Sequence, residues 1–253
     1  MSVLEVDSSN ACIPISSPLY SIIPPLPSTI RGEACSSLDS YSFPNTNKHV
    51  ILYGNGRLIV CRYFHVKDDD DNNSEGKEED DVINENYKIQ AFIYRGHMAQ
   101  VTCARFSPSG AYVASSDVRG NLRVWSYDNE EHLCKLNLQR ALGGPIRDID
   151  WDRQNRRLCI VGDTSPSDIP CRFIHWNTGV TCGELGIHQR NRVSSCAIRK
   201  GDMKEGYNAY NVLTGGREDH SILINSNGAR SGECNDIHNR GAIHSLTFSN
   251  NGL

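Results

Sequence analysis

The sequence predicts an all-β fold, a β-propeller of short antiparallel blades, and three observations carry that prediction. The first is a recurring spacing of apolar residues, one, another three on and a third five on. It occurs at Val101, Ala104 and Phe106, at Ile146, Ile149 and Trp151, at Val193, Cys196 and Ile198, and at Ile243, Leu246 and Phe248. Successive copies start 45, 47 and 50 residues apart, a little beyond the roughly 40 to 45 of WD-type repeats, so inter-strand loops carry small insertions. The second is the stretch Gly96 to Trp125, which opens on Gly96-His97 and closes on an aromatic, the two signposts of a WD blade. The third is turn punctuation inside that stretch at Ser107-Pro108-Ser109-Gly110 and Arg119-Gly120-Asn121, where Pro fixes φ and Gly tolerates φ > 0.

Taken in order, residues 1–19 are Ser-rich without periodicity and are expected to be a disordered lead, with a partial WD40 β-propeller over 20–253. Ser21 to Gly32 holds three prolines among apolar residues and is expected to be extended, because Pro gives a ladder no donor. Val50 to Phe64 places two apolar strands around Asn55-Gly56, a strong hairpin signal. With a strand over Tyr87 to Tyr94 it makes an early blade. The next blade runs through Val101 to Phe106, Tyr112 to Ser115, Leu122 to Trp125 and an outer strand near Leu133 to Leu138. A further blade takes Gly143 to Trp151, Arg156 to Gly162 and Arg172 to Gly179, with the loop Asp163 to Pro170 between its second and third strands. Then come Val193 to Ile198, Tyr210 to Thr214 and Ser221 to Ile224, with Ile224 where a Trp is expected, and a last first strand within His238 to Leu253. That gives about three blades plus two partial ones. Propellers close with four or more blades, so the chain is expected to be the front portion of a longer protein.

Composition sets bounds. A 253-residue chain that is 38% hydrophobic can build a real core. No apolar run approaches the roughly 20 residues of a membrane span, and the first ten residues lack a basic signal-type region, so a cytoplasmic setting without membrane attachment is expected. The ten cysteines are scattered from Cys12 to Cys234 without a CxxC pair and read as small buried hydrophobes. The nine histidines show no HxxxH or HExxH spacing, so no metal site is expected. Residues 67–81 hold nine acids and two bases, a net of −7 against −4 for the whole chain, which leaves +3 elsewhere. Such a block cannot bury apolar surface and is expected to be a solvated insertion. No basic stripe interleaved with aromatics supports nucleic-acid binding.

A WD blade is tied at its edge by hydrogen bonds from Trp to Ser to His to Asp. Here Trp125, Ser115 or Ser116, and His97 fit, whereas the place six residues before the Trp is held by Arg119, with Asp117 two residues earlier. The expected structural residues are Gly96, His97, Ser115, Asp117, Trp125, Trp151 and Trp176. There is no GxSxG elbow and no phosphate loop, so no enzyme, cofactor or small-molecule substrate is expected.

Four stretches carry a resemblance: LPSTIRG (Leu26 to Gly32), YRGHMAQVTCARFSPSGAYVASSDVRGNLRVW (Tyr94 to Trp125), LGGPIRDIDWDRQNRRLCIVGD (Leu142 to Asp163) and CGEL before His188. From about Ser21 to Gly216 the chain resembles the N-terminal part of the first propeller of the actin-interacting protein 1 family. That resemblance implies paired seven-bladed WD propellers, actin filaments and cofilin as partners, promotion of cofilin-dependent filament disassembly, and a place at the cytoplasmic actin cytoskeleton. It also implies actin contact by acidic residues in two loops, which places Asp168 in one and Glu218 with Asp219 in the other. The chain departs from the family in its acidic block and in NSNGARSGEC (Asn225 to Cys234), which stands where the family has a Gly-Pro-Pro-aromatic segment. The alternatives are a generic WD40 scaffold for another multiprotein complex, and a propeller hydrolase, which would need convergent Asp, Glu and His ligands.

Overall fold

The computed structural model describes residues 4–6, 12–14, 37–44, 46, 48–65, 90–185, 192–199, 211–218, 221–226, 229–234 and 241–248. The acidic block at 67–81, the proline-rich segment at 21–32 and Asp219 lie outside the described residues. Within the Ser-rich lead, β1 (Leu4–Val6) and β2 (Cys12–Pro14) pair as an antiparallel ladder.

Four four-stranded antiparallel sheets follow, each made of consecutive strands. The first joins β3 (Leu38–Ser42), β4 (Lys48–Asn55), β5 (Leu58–His65) and β6 (Gln90–Tyr94). The second joins β7 (Val101–Phe106), β8 (Tyr112–Asp117), β9 (Leu122–Ser126) and β10 (Cys134–Leu138). The third joins β11 (Ile146–Trp151), β12 (Arg157–Gly162), β13 (Cys171–His175) and β14 (Val180–Leu185). The fourth joins β15 (Val193–Ile198), β16 (Asn211–Gly216), β17 (Ile222–Ser226) and β18 (Ala229–Cys234). Strands β3, β14 and β18 complete sheets that the sequence left partial, because β3 and β14 are mostly exposed and β18 is poor in apolar residues. Among the described residues, 242–248 pair in no ladder, so the last first strand expected within His238 to Leu253 is not formed there, although Ile243 N donates to the Gly216 carbonyl at 3.2 Å and so runs beside the fourth sheet.

The repeating spacing has a geometric cause. Strict alternation would place apolar residues two apart, but β7, β11 and β15 each shift register near their start, between Val101 and Cys103, Ile146 and Asp148, and Val193 and Ser195. One extra residue in the bulge moves the buried face from the third position to the fourth. The sheets then stack through three apolar cores. Val50, Leu52 and Ile59 meet Val101, Val113 and Trp125; Ala114 and Val124 meet Ile149, Trp151 and Leu158; Cys159, Val161 and Phe173 meet Val193, Cys196 and Val212. Neighbouring residues of one strand face opposite cores, as Val113 and Ala114 do, so each inner sheet is buried on both faces. Fully burying such a side chain contributes about 1.5 to 3 kcal/mol.

Turns behave as their residues require, with one shift. The β4–β5 hairpin closes Asn55 against Leu58, so its central pair is Gly56-Arg57 rather than Asn55-Gly56, and Gly56 alone takes positive φ, 58°. Gly120 is tighter still. At φ 77°, a Cβ there would lie 2.2 Å from the Leu142 carbonyl oxygen and 2.6 Å from that of Gly144, both in the chain entering the next sheet. Gly120→Ala is therefore expected to lose more than about 1 kcal/mol of stability, read as a lowered urea midpoint at unchanged slope; an unaltered midpoint would contradict this close approach.

Candidate partner-binding surface

The blade-edge network of the second sheet is complete. Trp125 Nε1 donates to Ser115 Oγ at 3.3 Å, Ser115 Oγ lies 2.8 Å from His97 Nε2, and His97 Nδ1 lies 3.3 Å from Asp117 Oδ2. A carboxylate only accepts, so the His97 proton sits on Nδ1, and the Ser115 hydroxyl donates to Nε2. Asp117, the last residue of β8, closes the relay in place of Arg119, which stands six residues before the Trp. Its Oδ1 accepts from the backbone N–H groups of Arg119 (2.9 Å) and Asn121 (3.1 Å), and its Oδ2 also accepts from Asn121 Nδ2 at 2.9 Å. Burial pushes the Asp117 carboxyl upward, but the hydrogen bonds from His97, Asn121 and Arg119 outweigh it and hold the group below the usual carboxylate range. Gly96 belongs to the same unit. A Cβ there would sit 2.4 Å from the Tyr94 ring, which stacks on Trp125 at 4.2 Å.

Ladder register shows what replaces this network elsewhere. Ala104 faces Ser115 and Val113 faces Trp125 in the second sheet; the matching places are Ile160 and Ile174 in the third and Thr214 and Asn225 in the fourth. The third sheet has thus exchanged a polar relay for apolar packing. Asn225, rather than Ile224, takes the Trp position of the fourth sheet and is buried. Trp151 and Trp176 serve the interface between sheets instead. Trp151 ends β11 and donates through Nε1 to the Arg105 carbonyl at 3.3 Å, while Trp176 follows β13, donates to the Asn155 carbonyl, and lies 4.6 Å from Tyr112.

The innermost strands hold residues that sequence reasoning did not single out. Asp148 Oδ1 accepts from Ile149 N (3.0 Å) and from Arg105 Nη2 (3.1 Å), and its Oδ2 accepts from Cys196 N (3.1 Å). Asp150 repeats the arrangement with Trp151 N (2.9 Å) and Ile198 N (2.7 Å). Arg105 also donates to the Leu38 carbonyl at 3.0 Å, and Asp39 accepts from Phe106 N at 2.7 Å. The available signal was an Asp-x-Asp pair inside an otherwise apolar strand. These groups line a cavity of about 570 Å³ where the inner strands converge.

On the loop face, the two acidic loops meet. Asp163 Oδ2 accepts from Arg147 Nη2 (2.6 Å) and Arg217 Nη1 (2.9 Å), joining the loop that carries Asp168 to the turn that carries Glu218. Glu218 pairs with Arg192 at 2.7 Å. Asp168 Oδ1 accepts from Ile169 N at 2.8 Å and Arg172 Nη2 at 3.3 Å, and its other oxygen presses on Gly143, where a Cβ would come within 1.9 Å of it. Both side chains keep about a quarter of their surface open, 28% and 27%.

A profile described as WD domain, G-beta repeat, matches residues 88–126, which hold the whole Trp125 relay. The chain is 32% identical over 174 residues to actin-interacting protein 1-2 of Arabidopsis thaliana, covering 69% of this chain and 24% of that one. This chain is a WD-repeat protein related to the actin-interacting protein 1 family. It is also 39% identical over 113 residues to the 66 kDa stress protein of Physarum polycephalum, covering 44% of this chain and 18% of that one. It thus spans about a fifth to a quarter of the length of these relatives. Among solved structures, Sqt1 of Chaetomium thermophilum, bound to the N-terminus of ribosomal protein L10, superimposes with a TM-score of 0.60 at 13% identity, over 98% of this chain and 58% of that one, a likeness of fold. As in other WD-repeat proteins, the packed strands leave the loops as the surface open to partners.

The Asp117 relay yields a pH dependence of definite sign. A carboxyl held below its unfolded value, near about 3.9, contributes stability that is present above that value and lost as pH falls through the lower folded one. The stability gap between wild type and Asp117→Asn should be about 1 to 3 kcal/mol at pH 7 and shrink below about pH 4. Urea titrations of the two proteins at several pH values check it; a gap independent of pH would contradict the assignment.

Proposed function

We propose that this chain is a non-enzymatic binding protein of the cytoplasmic actin cytoskeleton, which engages cofilin-decorated actin filaments and promotes their disassembly. The observation that supports this most is its likeness over 69% of its length to a protein named for actin interaction. A partner shifts an equilibrium only by preferring one state, here the cofilin-bound filament or its broken end over intact bare filament. A rigid loop surface suits that task, because it meets the filament without an ordering cost.

The contact residues in this reading are Asp168, Glu218 and Asp219. Asp168 is held by Arg172 and Glu218 by Arg192, and each carboxylate keeps enough open surface to meet a partner cation. Being partly exposed, each pair contributes about 1 kcal/mol or less to stability. The variant Asp168→Ala with Glu218→Ala is expected to melt within a few degrees of wild type while cosedimenting less with cofilin-decorated filaments and slowing their disassembly. Wild-type rates from a folded double variant would remove these loops from the contact. A wild-type chain that ignores decorated filaments altogether would favour a scaffold for another multiprotein complex.

A further inference from the structure

The second and third sheets leave between their loops a groove of about 980 Å³, lined by Met98, Arg119, Asn121, Arg123, Arg140 and Gly143 among others. We propose that this groove is a docking site for a carboxylate-rich protein segment carrying an apolar side chain, and the inference is independent of the actin reading.

Charge is the first ground. On the neighbouring loop face of the third and fourth sheets, the arginines beside the two acidic loops are matched: Arg147 and Arg217 by Asp163, Arg172 by Asp168 and Glu184, Arg192 by Glu218. In the groove, by contrast, the Arg119 and Arg140 side chains are exposed and no hydrogen bond or ion pair engages either guanidinium among the described residues; only their backbone N–H groups are used, by Asp117 and Asn121. Asp117, the one acid among the described residues lining the groove, already accepts from His97, Arg119 N and Asn121. The groove therefore offers two planar, unspent donor forks, the geometry that grips carboxylates in pairs.

Shape and apolar content decide the class of partner. Met98 is 75% exposed at this groove, the most exposed of the large apolar side chains among the described residues, and a thioether is an adaptable apolar contact. A bare polyanion would leave it unused, whereas an acidic segment with a Leu or Ile covers it. Among the described residues no aromatic lines the groove, which leaves no stacking platform of the kind that holds single-stranded nucleic acid there.

The test uses the whole chain and a fluorescein-labelled peptide of six glutamates interrupted by two leucines, with an all-lysine counterpart and a single-stranded RNA 12-mer as controls. The variant Arg119→Gln with Arg140→Asn keeps the fold, since Arg140 has φ 51° and Asn tolerates that region. The acidic peptide is expected to bind wild type, more weakly as salt rises, and to lose about tenfold or more in affinity with the double variant. Met98→Gln is expected to weaken it severalfold, but not a peptide without leucine. Equal affinity for wild type and the folded double variant, no binding of the acidic peptide at millimolar concentration, or tighter binding of the RNA abolished by the same substitutions would each overturn the proposal.

Discussion

Two aspartates on one inner strand carry a constraint that the rest of the array depends on. Each blade ends at the axis in an edge strand, and the outward N–H groups of that edge have no ladder to join. Unpaired buried amides are costly, and an open edge also invites aberrant pairing. Asp148 and Asp150 answer both problems with one residue type. In each, one oxygen takes the next amide of β11 itself and the other reaches across to β15, so two carboxylates satisfy four amides, those of Ile149, Trp151, Cys196 and Ile198. Their spacing of two follows from strand geometry, since side chains two apart share a face. Ser37 and Asp39 repeat the device between the first and second sheets, taking Ala104 N and Phe106 N.

Set beside this inner seam, the Trp125 relay is a local fastening. It holds the outer part of one blade, and the third sheet manages without it by placing Ile160 and Ile174 in its stead. Polar relay and apolar packing are alternative solutions of the same site: a fully satisfied network and a well-filled core both leave no buried polar group unpaired. The inner-strand carboxylates have no such substitute in β11, because backbone amides remain whatever side chain stands there. Arg105 adds a further tie, spanning the Leu38 carbonyl and the Asp148 carboxylate, so three sheets are joined through one guanidinium.

Much of the fold was legible because its signals are local. The one-four-six spacing located β7, β11 and β15, though its cause, a bulge at the same point of each strand, needed the ladder register to be seen. The outer strand Val180–Leu185 and the first strand Leu38–Ser42 escaped notice, since each is largely exposed and carries few apolar residues. Asp117 was visible as a candidate but its closing place in the relay was not, because a count of six residues back from Trp125 falls on Arg119. The site was less legible than the fold. Asp168 and Glu218 are acidic loop residues in any reading, and only the folded arrangement shows that each faces an arginine, or that no acid among the described residues pairs with Arg119 or Arg140. Asp148 and Asp150 lay in plain view within GGPIRDIDW, yet their partners are 48 residues away and in another sheet.

The same seam connects fold to function. Loops can present fixed charges to a partner only if the sheets beneath them keep their relative positions, and it is the inner-strand carboxylates that fix sheet against sheet. Amide hydrogen exchange of the variant Asp148→Ala with Asp150→Ala tests this most directly. The amides of Cys196 and Ile198 should exchange markedly faster than in wild type, while those of the β16–β17 ladder stay protected. Unchanged protection at Cys196 and Ile198 in the folded variant would contradict the account.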